Sequence, residues 1–138
     1  MSAGSAPTAP QSFLSFAFSL KRGGVASGNS LTKSATPLRT VTAEGDARFD
    51  AIAKLIAEWQ PAALVVGVPF YPDGAAHDNT RRAQRFARQL AGRFGLPVHE
   101  VDERYTTTEA RAQGDRDIDA AAATLILEQF LRNTQGNA

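Results

Sequence analysis

Apolar residues follow two different rhythms along this chain, and the change comes near Asp46. Before it, residues 13–18 and 24–27 form short apolar runs around the turn sequence Lys21-Arg22-Gly23-Gly24. That pattern predicts two antiparallel strands, because the paired glycines permit the positive φ of a tight turn. Residues 37–42 predict a third, shorter strand. In the first strand, position 17 falls mid-strand with its side chain opposite those of Phe16 and Phe18. From Asp46 onward, Phe49, Ile52, Ile56 and Trp59 recur on one helical face, and Pro61 ends that helix.

Residues 62–68, Ala-Ala-Leu-Val-Val-Gly-Val, are apolar throughout. Such a run predicts a strand buried on both faces. Pro69 ends it, and residues 70–76 form a loop containing Asp73-Gly74. A second helix is expected over residues 79–94, with Ala83, Phe86, Ala87, Leu90 and Phe94 inward. Gly95 suits its C-terminal cap, and Pro97 lies just beyond. Residues 98–101 read as a short strand running into Asp102-Glu103-Arg104. Thr106-x-x-Glu109 has capping-box spacing and predicts a short helix. A loop over 112–116 and a last helix over 118–131 complete the chain.

The fold class is therefore α/β. Leading antiparallel strands are followed by strands alternating with helices, which implies parallel pairing in a mixed sheet flanked by helices. This element order is that of the ribonuclease-H-like fold. With 138 residues the chain reads as one domain over 13–134, after a leader over 1–12 and before a short tail over 135–138.

Composition adds exclusions. The net charge of +1 argues against a histone-like binder or an acidic tail, but local patches outweigh the total. Without cysteine there is no disulfide, thiolate zinc site or cysteine nucleophile. No signal-peptide pattern and no apolar run of about 18 residues occurs. The expectation is a soluble, cytoplasmic protein with no membrane partner. His77 and His99 stand apart, so zinc is not expected.

Candidate chemistry rests on acidic residues, and none occurs among the first 43 positions. Asp102 and Glu103 sit at the carboxyl end of a strand, where α/β sheets place ligand groups. Asp119, with Asp117 nearby, opens the last helix and its side chain can point back over the sheet. A two-metal site for phosphodiester hydrolysis draws on such carboxylates, holding Mg²⁺ or Mn²⁺ ions about 3.5–4 Å apart. The plainer readings stand beside it: Asp119 offsetting a helix dipole, and Asp102 and Glu103 pairing with Arg104. Arg81, Arg85 and Arg88 recur on one face of the second helix, with Arg82 beside them and Arg93 further on. That stripe, and Lys21-Arg22 at the hairpin tip, are candidate phosphate contacts or ordinary solvated surface.

At these residues the chain resembles the YqgF family, ribonuclease-H-like proteins described as Holliday-junction resolvases and pre-16S rRNA nucleases. The matching pieces are Leu20-Lys21-Arg22-x-Gly24-Val25-Ala26, then Val65-Val66-Gly67-Val68-Pro69 with Asp73-Gly74. Asp102-Glu103-Arg104-Tyr105-Thr106-Thr107 and Asp119-Ala120-Ala121-Ala122 follow, so the resemblance spans about residues 13–132. It implies a metal-dependent nuclease acting on structured nucleic acid, an rRNA precursor or branched DNA, in maturation of the 5′ end of small-subunit rRNA. A ribosomal assembly particle becomes a possible partner. Glu103, Asp102 and Asp119 would be catalytic, Glu103 and Asp119 would hold Mg²⁺ or Mn²⁺, and Lys21, Arg22, Arg81, Arg85, Arg88 and Arg104 would contact nucleic acid.

One departure is concentrated on the first strand. The family pattern there is roughly Phe-Asp-x-Gly, whereas this chain has Phe16-Ala17-Phe18-Ser19, with Gly23 and Ser27 also unusual. Ala17 is a degenerate site position: a methyl group where a carboxylate bridging both metals would stand. The expected activity is then weak or absent hydrolysis. The alternative is a non-catalytic nucleic-acid or ribosome-assembly binding protein that retains the fold. An actin-like ATPase is disfavoured, because a domain of this size lacks a second lobe to enclose a nucleotide.

Overall fold

The computed structural model describes residues 11–18, 22–42, 45–103 and 118–136. Five strands form one sheet: β1 Ser12–Phe18, β2 Gly23–Asn29, β3 Ala35–Val41, β4 Ala63–Val68 and β5 Val98–Asp102. Among the described residues, three helices accompany them: α1 Gly45–Trp59, α2 Asp78–Phe94 and α3 Ile118–Gly136. The spatial order is β3-β2-β1-β4-β5. β1, β2 and β3 pair antiparallel, while β1–β4 and β4–β5 pair parallel. The expected mixed sheet flanked by helices is thus present. Residues 106–116, read as a helix and a loop, lie outside the described residues.

Alternation along β1 sorts the core into two layers. Leu14 and Phe16 join Leu64, Val66 and Val68 of β4 beneath α1 and α2. Phe13 and Ala17 join Val65, Val101 and the inner face of α3, namely Ala122, Ala123, Ile126 and Leu127. Ser15 lies in this second row, and its buried hydroxyl donates to the Ala123 carbonyl at 2.7 Å. Phe86 of α2 meets the rings of Phe16, Phe18 and Phe49 at centroid distances of 5.1–6.0 Å.

Several expectations shift. In α1 the inward residues are Arg48, Phe49, Ile52 and Leu55. Ile56 is only half-buried and Trp59 is 40% exposed. Arg48 is buried because its guanidinium lies over the Phe18 ring, 5.2 Å from the centroid. In α2, Phe94 is half-buried and Thr80 is fully buried. Gly95 caps α2 in the left-handed conformation, at φ 66°. Ser12, assigned to the leader, belongs to β1, and residues 135–136, assigned to the tail, belong to α3.

α3 lies across β2, β1 and β3, and glycine sets how closely it approaches. A Cβ added at Gly24 would overlap the backbone carbonyl of Asp119. At Gly67 it would overlap the Ile126 Cδ1 atom instead, the tip of a side chain. Backbone cannot yield without moving the helix, whereas a side-chain tip can. Gly24→Ala is therefore expected to cost about 3 kcal/mol and Gly67→Ala about 1 kcal/mol. Urea midpoints at unchanged m check the order, and equal costs would contradict it.

Candidate functional site

The carboxyl ends of β1, β4 and β5 lie at one edge of the sheet, because these three strands run parallel. β2 begins and α3 starts at the same edge. Ala17 is in register with Gly24 on one side and with Gly67 on the other, and Gly67 is in register with Val101. The row Gly24–Ala17–Gly67 thus carries one methyl group across three strands, about 10 Å at the usual strand spacing. This bare strip faces α3.

Acidic groups approach the strip from both ends. Glu103 follows β5, and its Oε1 lies 3.0 Å from where a Cβ on Gly67 would sit. Asp119, in the first turn of α3, has its backbone against Gly24. Its carboxylate accepts an ion pair from Arg22 Nε at 3.2 Å. With Arg22 63% exposed, this pair contributes at most about 1 kcal/mol. Asp102 differs: it is in register with Val68, which belongs to the layer beneath α1 and α2. By alternation its side chain leaves the sheet on the face opposite Ala17.

Among the described residues, Glu103 carries a marked shift. Burial, with the Asp102 charge as a smaller contribution, raises its pKa from 4.5 to about 7. Near neutrality it is therefore a mixture of carboxylic acid and carboxylate.

The remaining candidates divide. Arg81 pairs with Asp78 at 3.5 Å, and Arg82 donates to the Asn79 side-chain oxygen at 3.0 Å. Arg85 and Arg88 are exposed and form no ion pair among the described residues. Arg93 leaves the stripe, since it stacks on Phe49 at 4.0 Å and pairs with Asp46 at 3.3 Å, tying α2 to α1. Lys21, Arg104 and Asp117 lie outside the described residues. The Arg22–Asp119 pair and the two glycines flanking Ala17 escaped the sequence reading. Only the spacing of Gly24 and Gly67 within their strands could have indicated a bare strip.

A two-metal centre needs several carboxylates converging on ions about 3.5–4 Å apart. Among the described residues, no three acidic or histidine side chains converge to hold a metal ion. The middle of the strip offers a methyl group, and Asp119 is engaged by a guanidinium. Among the described residues, the donor set does not fit such a centre.

The sheet order defines a ribonuclease-H-like domain. Thermus thermophilus RuvC in complex with a Holliday junction substrate superposes with TM-score 0.63, covering 92% of this chain and 98% of that one at 15% identity. A second RuvC structure from the same organism gives 0.55. The model of the RuvX family, described as Holliday junction resolvase, matches residues 11–133, and the chain belongs to that family. Relatives named "Putative pre-16S rRNA nuclease" are 66% identical in Polaromonas sp. and 68% in Albidiferax ferrireducens. Each match covers 89% of this chain, and 89% and 79% of the relatives respectively.

The shift of Glu103 makes stability depend on pH. Between about 4.5 and about 7 the folded chain keeps a proton that the unfolded chain has released. Stability should therefore fall as pH rises through that window and level off above it. Glu103→Gln cannot ionise, so relative to the unsubstituted protein it should gain up to about 3 kcal/mol between pH 4 and pH 8. Urea unfolding in chelator-treated buffer reads this, and a pH-independent difference would contradict the buried-acid account.

Proposed function

We propose that this chain binds structured nucleic acid as a member of a nuclease family and hydrolyses phosphodiesters weakly or not at all. Its substrate class is an rRNA precursor, in maturation of the 5′ end of small-subunit rRNA, with branched DNA as the other candidate. The family membership and the names of the relatives support the substrate class. Ala17 carries the catalytic part of the reading. It occupies the centre of a strip whose neighbours, Gly24 and Gly67, have no side chains, with Glu103 and Asp119 at its two ends. Between the two acids the sequence supplies a methyl group and no carboxylate.

Mg²⁺ or Mn²⁺ is the cation that a carboxylate-lined nuclease site of this kind would take. With Ala17 in place, Glu103 and Asp119 remain as donors, and Asp119 is shared with Arg22. The same pair favours a second reading, that of a purely binding protein: a guanidinium already supplies positive charge where a metal ion would. In both readings the exposed Arg85 and Arg88, with Arg81 beside them, supply phosphate contacts that carry no sequence preference.

Cleavage of an rRNA precursor and of branched DNA in Mg²⁺ or Mn²⁺ separates the two readings. Ala17→Asp is expected to cleave about 10–100-fold faster than the unsubstituted protein, the scale on which metal-site groups act. Robust cleavage by the unsubstituted protein, abolished by Glu103→Gln or Asp119→Asn, would refute weak hydrolysis. A mute Ala17→Asp variant would favour the purely binding protein.

Binding is tested separately. Replacing Arg81, Arg85 and Arg88 together by Ala should weaken RNA binding without divalent metal. It should also flatten the dependence of log K on log salt by about 2–3. Unchanged binding would remove the stripe from the interface.

A further inference from the structure

Beyond β4, the chain presents an aromatic side chain in a place where packing does not require one. Tyr71 is 52% exposed, and its ring meets the His77 ring edge-on at 4.7 Å. Together with Asp78, Asn79, Arg81 and Arg82 these rings line a shallow, open surface cleft.

The loop that carries Tyr71 is tied down. The Tyr71 N–H donates to the Ala75 carbonyl at 2.9 Å, and the Gly74 N–H donates to the Tyr71 carbonyl at 2.8 Å. Asp73 Oδ1 accepts from the Ala75 N–H at 2.9 Å, closing the turn from within. Thr80, fully buried, donates its hydroxyl to the Pro69 carbonyl and accepts from the His77 N–H at 3.0 Å. The ring is thus held out by a braced turn, so ligand contact would order little that is not already ordered.

We infer that this cleft is a nucleotide subsite, in which an unpaired base stacks on Tyr71 and its phosphates lie against Arg81 and Arg82. The inference rests on the nucleic-acid reading above and adds to it that the bound strand is single-stranded next to the sheet edge. Three features favour that occupant. A flat exposed ring beside guanidinium groups is the usual platform for unstacked bases, whereas duplex contacts need only the cations. The cations stand beside the ring, Arg81 3.5 Å from Asp78 and Arg82 3.0 Å from the Asn79 side-chain oxygen, and both are exposed, with further N–H groups for oxygen acceptors. Tyr71 is also four residues beyond Gly67, so its backbone lies within about 14 Å of the bare strip, or two to three nucleotides of extended strand.

Fluorescence anisotropy with a short labelled oligonucleotide tests the subsite, using single-stranded RNA, single-stranded DNA and a blunt duplex of equal length. Tyr71→Ala should weaken binding of the single strands about tenfold and leave the duplex unchanged. Tyr71→Phe, which keeps the ring, should bind like the unsubstituted protein. An oligonucleotide with successive abasic positions should bind about tenfold less tightly to the unsubstituted protein, yet no less tightly than the intact one to Tyr71→Ala. Equal preference for RNA and DNA means that the base alone is read, and preference for RNA means that the 2′-hydroxyl is also contacted; both support the subsite. If single strands bind Tyr71→Ala and the unsubstituted protein equally, the subsite is overturned while the nucleic-acid reading stands. If the unsubstituted protein binds no nucleic acid, both fall.

Discussion

The close approach of α3 to β2 at Gly24 is the contact on which the rest of this molecule depends. A helix normally stands off a sheet by the length of its side chains. Here the Asp119 backbone occupies space that a Cβ at position 24 would need. This brings the start of α3 down to the carboxyl edge of β1 and β4. It also brings the Asp119 carboxylate within reach of Arg22. Ala122 and Ala123, small and buried on the inner face of α3, continue the same logic along the helix. Close backbone approach requires small residues on both sides.

What such an approach achieves is a floor without side chains, ringed by acids. Gly24, Ala17 and Gly67 leave the strip bare, Ile126 fills the space above Gly67, and Glu103 reaches in from the end of β5. Burial, with the Asp102 charge beside it, raises the pKa of Glu103. The centre of the strip carries a methyl group and no carboxylate. The proposal of weak hydrolysis rests on that residue, and the proposed substrate class rests on the family and the names of the relatives.

The opposite layer behaves as an ordinary core and supports the surface. Phe86 meets three aromatic rings, Arg48 covers Phe18, and Arg93 ties α2 to α1. With α2 anchored in this way, its outer face can carry Arg85 and Arg88 without internal partners. The braced turn after β4 can also hold Tyr71 outward. Rigidity beneath an exposed ring is what lets that ring serve as a binding platform.

Much of the architecture was legible along the chain. The alternation at residues 13–18 assigned Ala17 to the face opposite Phe16, and the unbroken apolar run before Pro69 marked the central strand. Gly95 announced the end of α2 through the one conformation that glycine adopts freely. These are local properties, set by periodicity and by backbone freedom. The inward face at the end of α1 was not legible, so Trp59 was expected inside and Leu55 was overlooked. Nor could the sequence pair Arg22 with Asp119, separate Asp102 from Glu103 by face, or make Gly24 a contact point. Each of those depends on register between strands or on the seating of a helix, quantities that only packing among elements distant in the chain determines.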